Sequence, residues 1–172
     1  MAIRALKSPR FPRALLFLGA NLFEPEPYFL NVGRVLDTSR ASYQIDDDGP
    51  KVQRTLEGEW SLIVWKANIL FYSGHRLEIL ECYSRKLGGK VLKCLKYQFM
   101  DGQKRLIFRV DTHGTTVPLE ESCHIHVGGT DEEITESCDP RLGSLRLEKI
   151  NFLDVFRLVH CHLKDRKLPW EA

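Results

Sequence analysis

The chain reads as an α+β fold, a small and mostly antiparallel sheet of about five or six strands with a C-terminal helix packed on its apolar face. Three observations predict it. Four segments rich in branched and aromatic residues follow one another from Ser61 to Asp111, with glycine turns between several of them. An Asp101-Gly102 pair joins the last two of these segments as a hairpin. The final apolar segment, Phe152 to Leu163, repeats at three- and four-residue spacings. At 172 residues, 43% hydrophobic and 28% charged, the chain suits one folded domain with a real core.

Taken in order, "MAIRALKSPRFPRALLFLGANLF" carries four basic residues and no acid through Phe23, which resembles a targeting segment. Its apolar run is short and no cleavage site stands out, so the more ordinary reading is a loosely attached arm or a short helix ended by Pro25 and Pro27. No stretch is long enough to cross a membrane, and no membrane partner is expected. The acidic turn "DDDGP", Asp46 to Pro50, marks a boundary: residues 1–50 are an N-terminal extension, irregular or partly helical, and residues 51–172 are a single α+β domain. A later, non-ATG start that leaves residues up to about Pro50 out of the product is a further expectation, since no methionine lies between Met1 and Met100.

The strands are "SLIVWKANILFY", which could also be a helix, then "RLEILECY", "VLKCLKYQFM" and "KRLIFRVD", with turns at Ser73-Gly74 and Gly88-Gly89. If Asp101-Gly102 is a two-residue type I′ turn, Met100 faces Gln103, and the continuing pairs Tyr97 with Leu106 and Leu95 with Phe108 lie on one side. The other side then receives Gln98 opposite Arg105, Lys96 opposite Ile107 and Cys94 opposite Arg109. Lys93 is the exception on the apolar side. "CHIHV" returns as a short strand, and Leu145 to Ile150 alternates weakly like a last one. Asn151 is placed to cap the terminal helix with Asp154 at its third position, Lys164, Arg166 and Lys167 favour its C-terminus, and Pro169 stops it.

The net charge of +2 hides a division. From Tyr83 to Arg109 there are eight Lys or Arg and one acid, whereas Asp111 to Asp139 holds eight Asp or Glu and no Lys or Arg. The basic part can attract phosphate or RNA, and the acidic part would repel nucleic acid or occupy the basic patch. Both can also be solvated faces of a hairpin and a loop. Five cysteines with no CxxC pair argue against a secreted disulfide framework and a zinc knuckle, and a reducing, cytoplasmic location fits best. Each cysteine reads as a small apolar side chain, with Cys123 kept in reserve for its neighbour His124.

By the period of two, Arg109, Asp111 and His113 share the face opposite to Leu106, Phe108 and Val110, and His124 and His126 point together. If their strands pair, three imidazoles, a carboxylate and a guanidinium meet on one polar surface. Metal-independent RNA cleavage would use one histidine as base and another as acid, with Asp111 in the set, Arg109 beside the charged phosphorane, and Lys96 and Arg105 binding phosphate. That reading needs no cofactor. Alternatively, His113, His124, His126 and Asp111 supply ligands for zinc or another divalent transition metal. The plain reading is a hydrogen-bonded polar face. His75, His160 and His162 read as chemically idle.

"KYQFMDGQKRLIFRVDTHG", followed by "HIHV" and a late amphipathic helix, resembles the TumE-type toxin family of prokaryotic toxin–antitoxin pairs over about Glu57 to Leu163. The residues that carry the resemblance are Tyr97, Phe99, Asp101, Gly102, Phe108, Arg109, Asp111, His113, His124 and His126. Val110 stands where an aromatic is usual, the loop before the HxH is Glu-rich, and the first fifty residues have no counterpart. The resemblance implies a growth-inhibiting protein held by a helix-turn-helix antitoxin. Together with the histidines and the basic hairpin, it suggests RNA cleavage or another attack on translation, and the alternative is a non-catalytic partner-binding or metal-binding module.

Overall fold

The computed structural model describes residues 24–86, 89–113, 116–136 and 139–171. Helix α1 (Pro25–Thr38) comes first, with prolines in its opening turn. These prolines start a helix instead of ending one, because the first turn has backbone N–H groups without partners and proline has none to lose. Strands β1 (Tyr43–Asp47) and β2 (Lys51–Arg54) follow, then β3 (Trp60–Phe71), β4 (Arg76–Arg85), β5 (Val91–Met100) and β6 (Leu106–Thr112). Short strands β7 (Val117–Pro118), β8 (Cys123–Val127) and β9 (Glu133–Ile134) precede helix α2 (Phe152–Asp165). The class is α+β as expected, but the antiparallel sheet is larger, with nine strands among the described residues in the order β1-β3-β4-β5-β6-β8-β9, β2 beside β3 and β7 beside β5.

Period-two alternation decides which face each residue takes. Ile63, Trp65, Ala67, Ile69 and Phe71 of β3 are buried on the core side, as are Leu77, Ile79 and Tyr83 of β4 and Leu95, Tyr97 and Phe99 of β5. The segment that could have been a helix is therefore a strand. Both helices close this side: Phe29 of α1 and Phe152 of α2 meet Trp65 edge-on with ring centroids 5.8 and 5.1 Å apart. Residues 25–47, set apart by the sequence reading, supply Phe29, Val32, Leu36 and Tyr43 to the same buried cluster, and β1 pairs with β3. The Tyr43 hydroxyl also donates to the Leu36 carbonyl. Residues 1–23, where the targeting segment was considered, and Gly88 lie outside the described residues.

The β5–β6 hairpin keeps its predicted faces but not its register. Tyr97 pairs with Val110, Gln98 with Arg109, Lys96 with Asp111 and Phe99 with Phe108, four positions from the two-residue-turn alignment. The cause is the turn. Asp101 Oδ1 accepts the backbone N–H groups of Gln103 and Arg105 at 2.8 and 2.9 Å, and Lys104 adopts a left-handed φ of 63°. The aspartate thus holds a wider loop than a type I′ turn. An even displacement leaves every side chain on its original face.

Leu145 to Ile150 does not form the last strand expected. The segment turns, with the Lys149 N–H donating to Arg146 O at 3.1 Å, while Leu147 and Ile150 are buried and Leu147 O accepts from the Cys123 N–H at 3.1 Å. Asn151 caps α2 as expected: its side chain accepts from Leu153 N at 2.9 Å, and Asp154 returns to the Asn151 N–H at 3.3 Å. Phe152, Val155, Phe156 and Val159 form the buried stripe, joined by Leu158.

Candidate functional site

On the face of the sheet away from the helices, the register builds two adjoining rows. One runs Lys66, Leu80, Lys96, Asp111 and His124 across β3, β4, β5, β6 and β8. The next runs Asn68, Glu78, Gln98, Arg109, His126 and Glu133, ending on β9. Arg109, Asp111, His124 and His126 are therefore neighbours because the antiparallel strands β6 and β8 are in register, not because a loop gathers them. His113 follows the end of β6, is exposed, and stacks on the His124 ring with centroids 3.9 Å apart and planes 14° apart.

Ligand-type atoms of Asp111, His124 and His126 all lie within 4.8 Å of one another. Asp111 Oδ1 is 2.5 Å from His124 Nε2 and 3.4 Å from His126 Nε2. Although it faces outward, the His124 side chain is only 7% exposed, covered by the groups around it. Burial, the largest influence, together with His113 and His126, draws its pKa below the ordinary histidine value against the opposing pull of Asp111 and Glu133.

The tautomer of His126 follows from its partners. A guanidinium only donates, so the 2.5 Å approach of Arg109 Nη2 to His126 Nε2 requires a lone pair on Nε2. The ring hydrogen is then on Nδ1, where Glu133 Oε1 accepts it at 2.8 Å. Arg109 Nε also lies 2.7 Å from Asp111 Oδ2. Even so, Asp111 Oδ1 and His124 Nδ1 are buried and find no hydrogen bond of proper direction, despite the short distance between Oδ1 and His124 Nε2. Close approach without alignment is not a hydrogen bond.

The other expected site residues are placed differently. Lys96 is exposed beside Asp111 in the same row. Arg105 is not opposite Gln98 and not on a strand; it sits in the hairpin loop, held to Asp101 Oδ2 through Nε and Nη2 at 2.7 Å each. Among the acids of the 111–139 stretch, Asp139 and Glu132 pair with Arg141, and Glu133 with His126, so these do not occupy the basic hairpin. His75 is buried, stacked on Phe99, and held by Ser73 Oγ at 3.0 Å, while His160 and His162 pack among aromatic rings.

Two features escaped the sequence reading. Glu133 is the second partner of His126, and its only early signal was the Gly128-Gly129 pair that turns β8 back on itself. The other is Glu81, fully buried on the core side and accepting from the hydroxyls of Tyr28, Tyr97 and Tyr83 at 2.6, 2.7 and 3.1 Å. Burial raises its carboxyl to about 7 against the lowering effect of those hydrogen bonds. No helix among the described residues is long and apolar enough to cross a membrane. Compared with protein families, with curated proteins and with solved structures, the chain finds no match in any of the three.

Proposed function

We propose that the protein is a metal-binding module in which Asp111, His124 and His126 hold zinc or another divalent transition metal. The observation that carries the reading is the excess of acceptors at one point. Asp111 Oδ1 and His124 Nδ1 are buried without a directional hydrogen bond, and His126 Nε2, whose lone pair faces only the Arg109 guanidinium, lies 3.4 Å from Asp111 Oδ1. Whichever nitrogen of His124 carries the hydrogen, one member of the cluster is left without a partner. A divalent cation supplies what these atoms lack, and two imidazoles with one carboxylate are a ligand set that zinc accepts with a position left for water or a substrate. Glu133 takes the hydrogen on the far side of His126, as outer carboxylates do for metal-bound histidines. Coordination by Nε2 displaces Arg109 Nη2 and leaves Arg109 its contact with Asp111 Oδ2.

The test is elemental analysis of the untagged chain after equilibration with zinc and removal of excess. About one metal per chain is expected for the parent, and close to none for the His124→Ala, His126→Ala double variant. A parent that retains no stoichiometric metal sinks the proposal.

A second reading is the toxin of a toxin–antitoxin pair, acting on RNA through the same histidines and bound by a helix-turn-helix partner. It is favoured by exposed Lys96 and by Arg109, both on the face of the cluster, with His113 open at its edge. The metal reading fits better, because the ligand atoms of Asp111, His124 and His126 already converge, whereas general acid–base catalysis needs nitrogens that reach the substrate and the His124 side chain is only 7% exposed. The same double variant separates the two. Growth arrest on induced expression of the metal-free parent alone supports RNA attack, and arrest by both chains or by neither removes the histidines from that role.

A further inference from the structure

Cys82 of β4 and Cys94 of β5 are direct partners across an antiparallel pair. Their chain neighbours Glu81, Tyr83, Lys93 and Leu95 are buried in the core. By alternation both thiols therefore stand on the opposite face, the one that carries Lys96 and Asp111, and both are partly exposed. Directly opposed residues in an antiparallel pair have Cα atoms about 4.5–5.5 Å apart, inside the roughly 4.4–6.8 Å that a disulfide spans. Burial first, and then the nearby Cys94, raises the Cys82 thiol above its ordinary value. The remaining described cysteines are placed otherwise, Cys123 buried on the core side and Cys161 exposed on α2.

We propose that Cys82 and Cys94 are a reversible redox site, closing to a cross-strand disulfide under a peroxide oxidant and reopening under a thiol reductant. The chemistry balances in two steps. One thiolate attacks the peroxide O–O bond, giving a sulfenic acid and a water molecule. The facing thiol then attacks that sulfur, the S–S bond forms, and the sulfenic oxygen leaves as a second water. In sum, two thiols lose two electrons and two protons, and one hydrogen peroxide is reduced to two waters. Reduction by a dithiol returns both cysteines and leaves the reductant as its own disulfide. The new bond would join β4 to β5 one row from Lys96 and Asp111, so the metal-binding face would acquire a redox-dependent neighbour. The inference stands whether or not a metal binds there.

The experiment treats the full, untagged chain with a small excess of hydrogen peroxide, blocks free thiols, and maps digested peptides by mass spectrometry with and without reduction. The expected product is a linked pair of peptides containing Cys82 and Cys94, about 2 Da lighter than the two free peptides together, and released by dithiothreitol. Cys161→Ser should leave the link in place, and Cys82→Ser or Cys94→Ser should each abolish it. The mapping on the parent decides the matter without any variant that might fold poorly. Recovery of Cys82 and Cys94 as blocked free thiols, as separate sulfinic acids, or linked to other cysteines overturns the proposal.

Discussion

The two faces of the sheet bury carboxylates in opposite ways. On the core side Glu81 is surrounded by hydroxyl donors, with Tyr28, Tyr83 and Tyr97 all donating to it and Tyr28 in turn accepting from the Phe152 N–H at the start of α2. On the other side Asp111 is surrounded by two imidazoles and a misdirected guanidinium, and its Oδ1 is left without a hydrogen bond. The first network is complete with the protein's own atoms and ties helices α1 and α2 to strands β4 and β5. The second leaves Asp111 Oδ1 and His124 Nδ1 buried without a hydrogen bond. Buried polar groups are costly unless partnered, so the complete network stabilises the fold, and the incomplete one is where the proposed metal would act.

The largest expected effect strikes both faces at once. A Cβ on Gly128 would lie 2.0 Å from Leu106 O and 2.6 Å from Ile107 O, backbone atoms that cannot swing aside, and the Gly128 N–H donates to Ile107 O at 2.8 Å. Gly128→Ala should therefore push β8 away from β6 and cost more than about 4 kcal/mol, read as loss of cooperative thermal unfolding together with loss of bound metal. A variant that melts like the parent would show that the two strands tolerate separation, and the comparison of faces would lose its shared framework.

Next in size is an effect confined to the core side. The Glu81 carboxyl titrates near 7 in the folded chain and at the ordinary 4.5 when unfolded. Between those values the folded state holds the proton that the unfolded state has lost, so stability is full below 4.5, falls as pH rises to about 7, and then levels off. The span corresponds to about 3 kcal/mol. Glu81→Gln should flatten this part of the stability profile in denaturant melts from pH 4.5 to pH 7, and metal content should not change. An unaltered profile would assign the pH dependence to other groups.

Much of this could be read in the sequence, and what could not has a physical reason. Strand identity and facing in β3 to β6 follow from alternation, which survives the four-residue error in hairpin register because an even shift does not exchange faces. That same alternation put Arg109, Asp111 and His113 on one side before any pairing was known. Register itself depended on Asp101, whose side chain serves the loop backbone in a way that the Asp-Gly pair does not announce. Strands β1 and β2 are short and mostly exposed, so no apolar period marks them. Glu81 looked like one acid in an alternating strand. Two of its three partners come from α1 and β5, and a Tyr28 contact spanning 53 positions leaves no local trace. Leu145 to Ile150 alternates because Leu147 and Ile150 fill the core, not because the backbone extends.

The smallest expected effect is the one that sharpens the contrast most, because it touches only the outer side. Glu133 lies on a two-residue strand at the end of the sheet and contacts the cluster through one hydrogen bond to His126 Nδ1. Its side chain is 42% exposed, so its contribution to folding is slight. Its contribution to metal binding should be larger, because a carboxylate there holds the Nδ1–H tautomer and makes Nε2 a better donor to the metal. Glu133→Gln replaces that acceptor by an amide, whose carbonyl is a weaker one, and should lower zinc affinity by about 10- to 100-fold with thermal unfolding of the metal-free chain unchanged. Titration against a competing chelator reads the first quantity and circular dichroism the second. Were the variant to lose stability but keep its affinity, the Glu133–His126 contact would be a strand-end clasp like the tyrosine contacts of Glu81, and the two faces would be doing the same work.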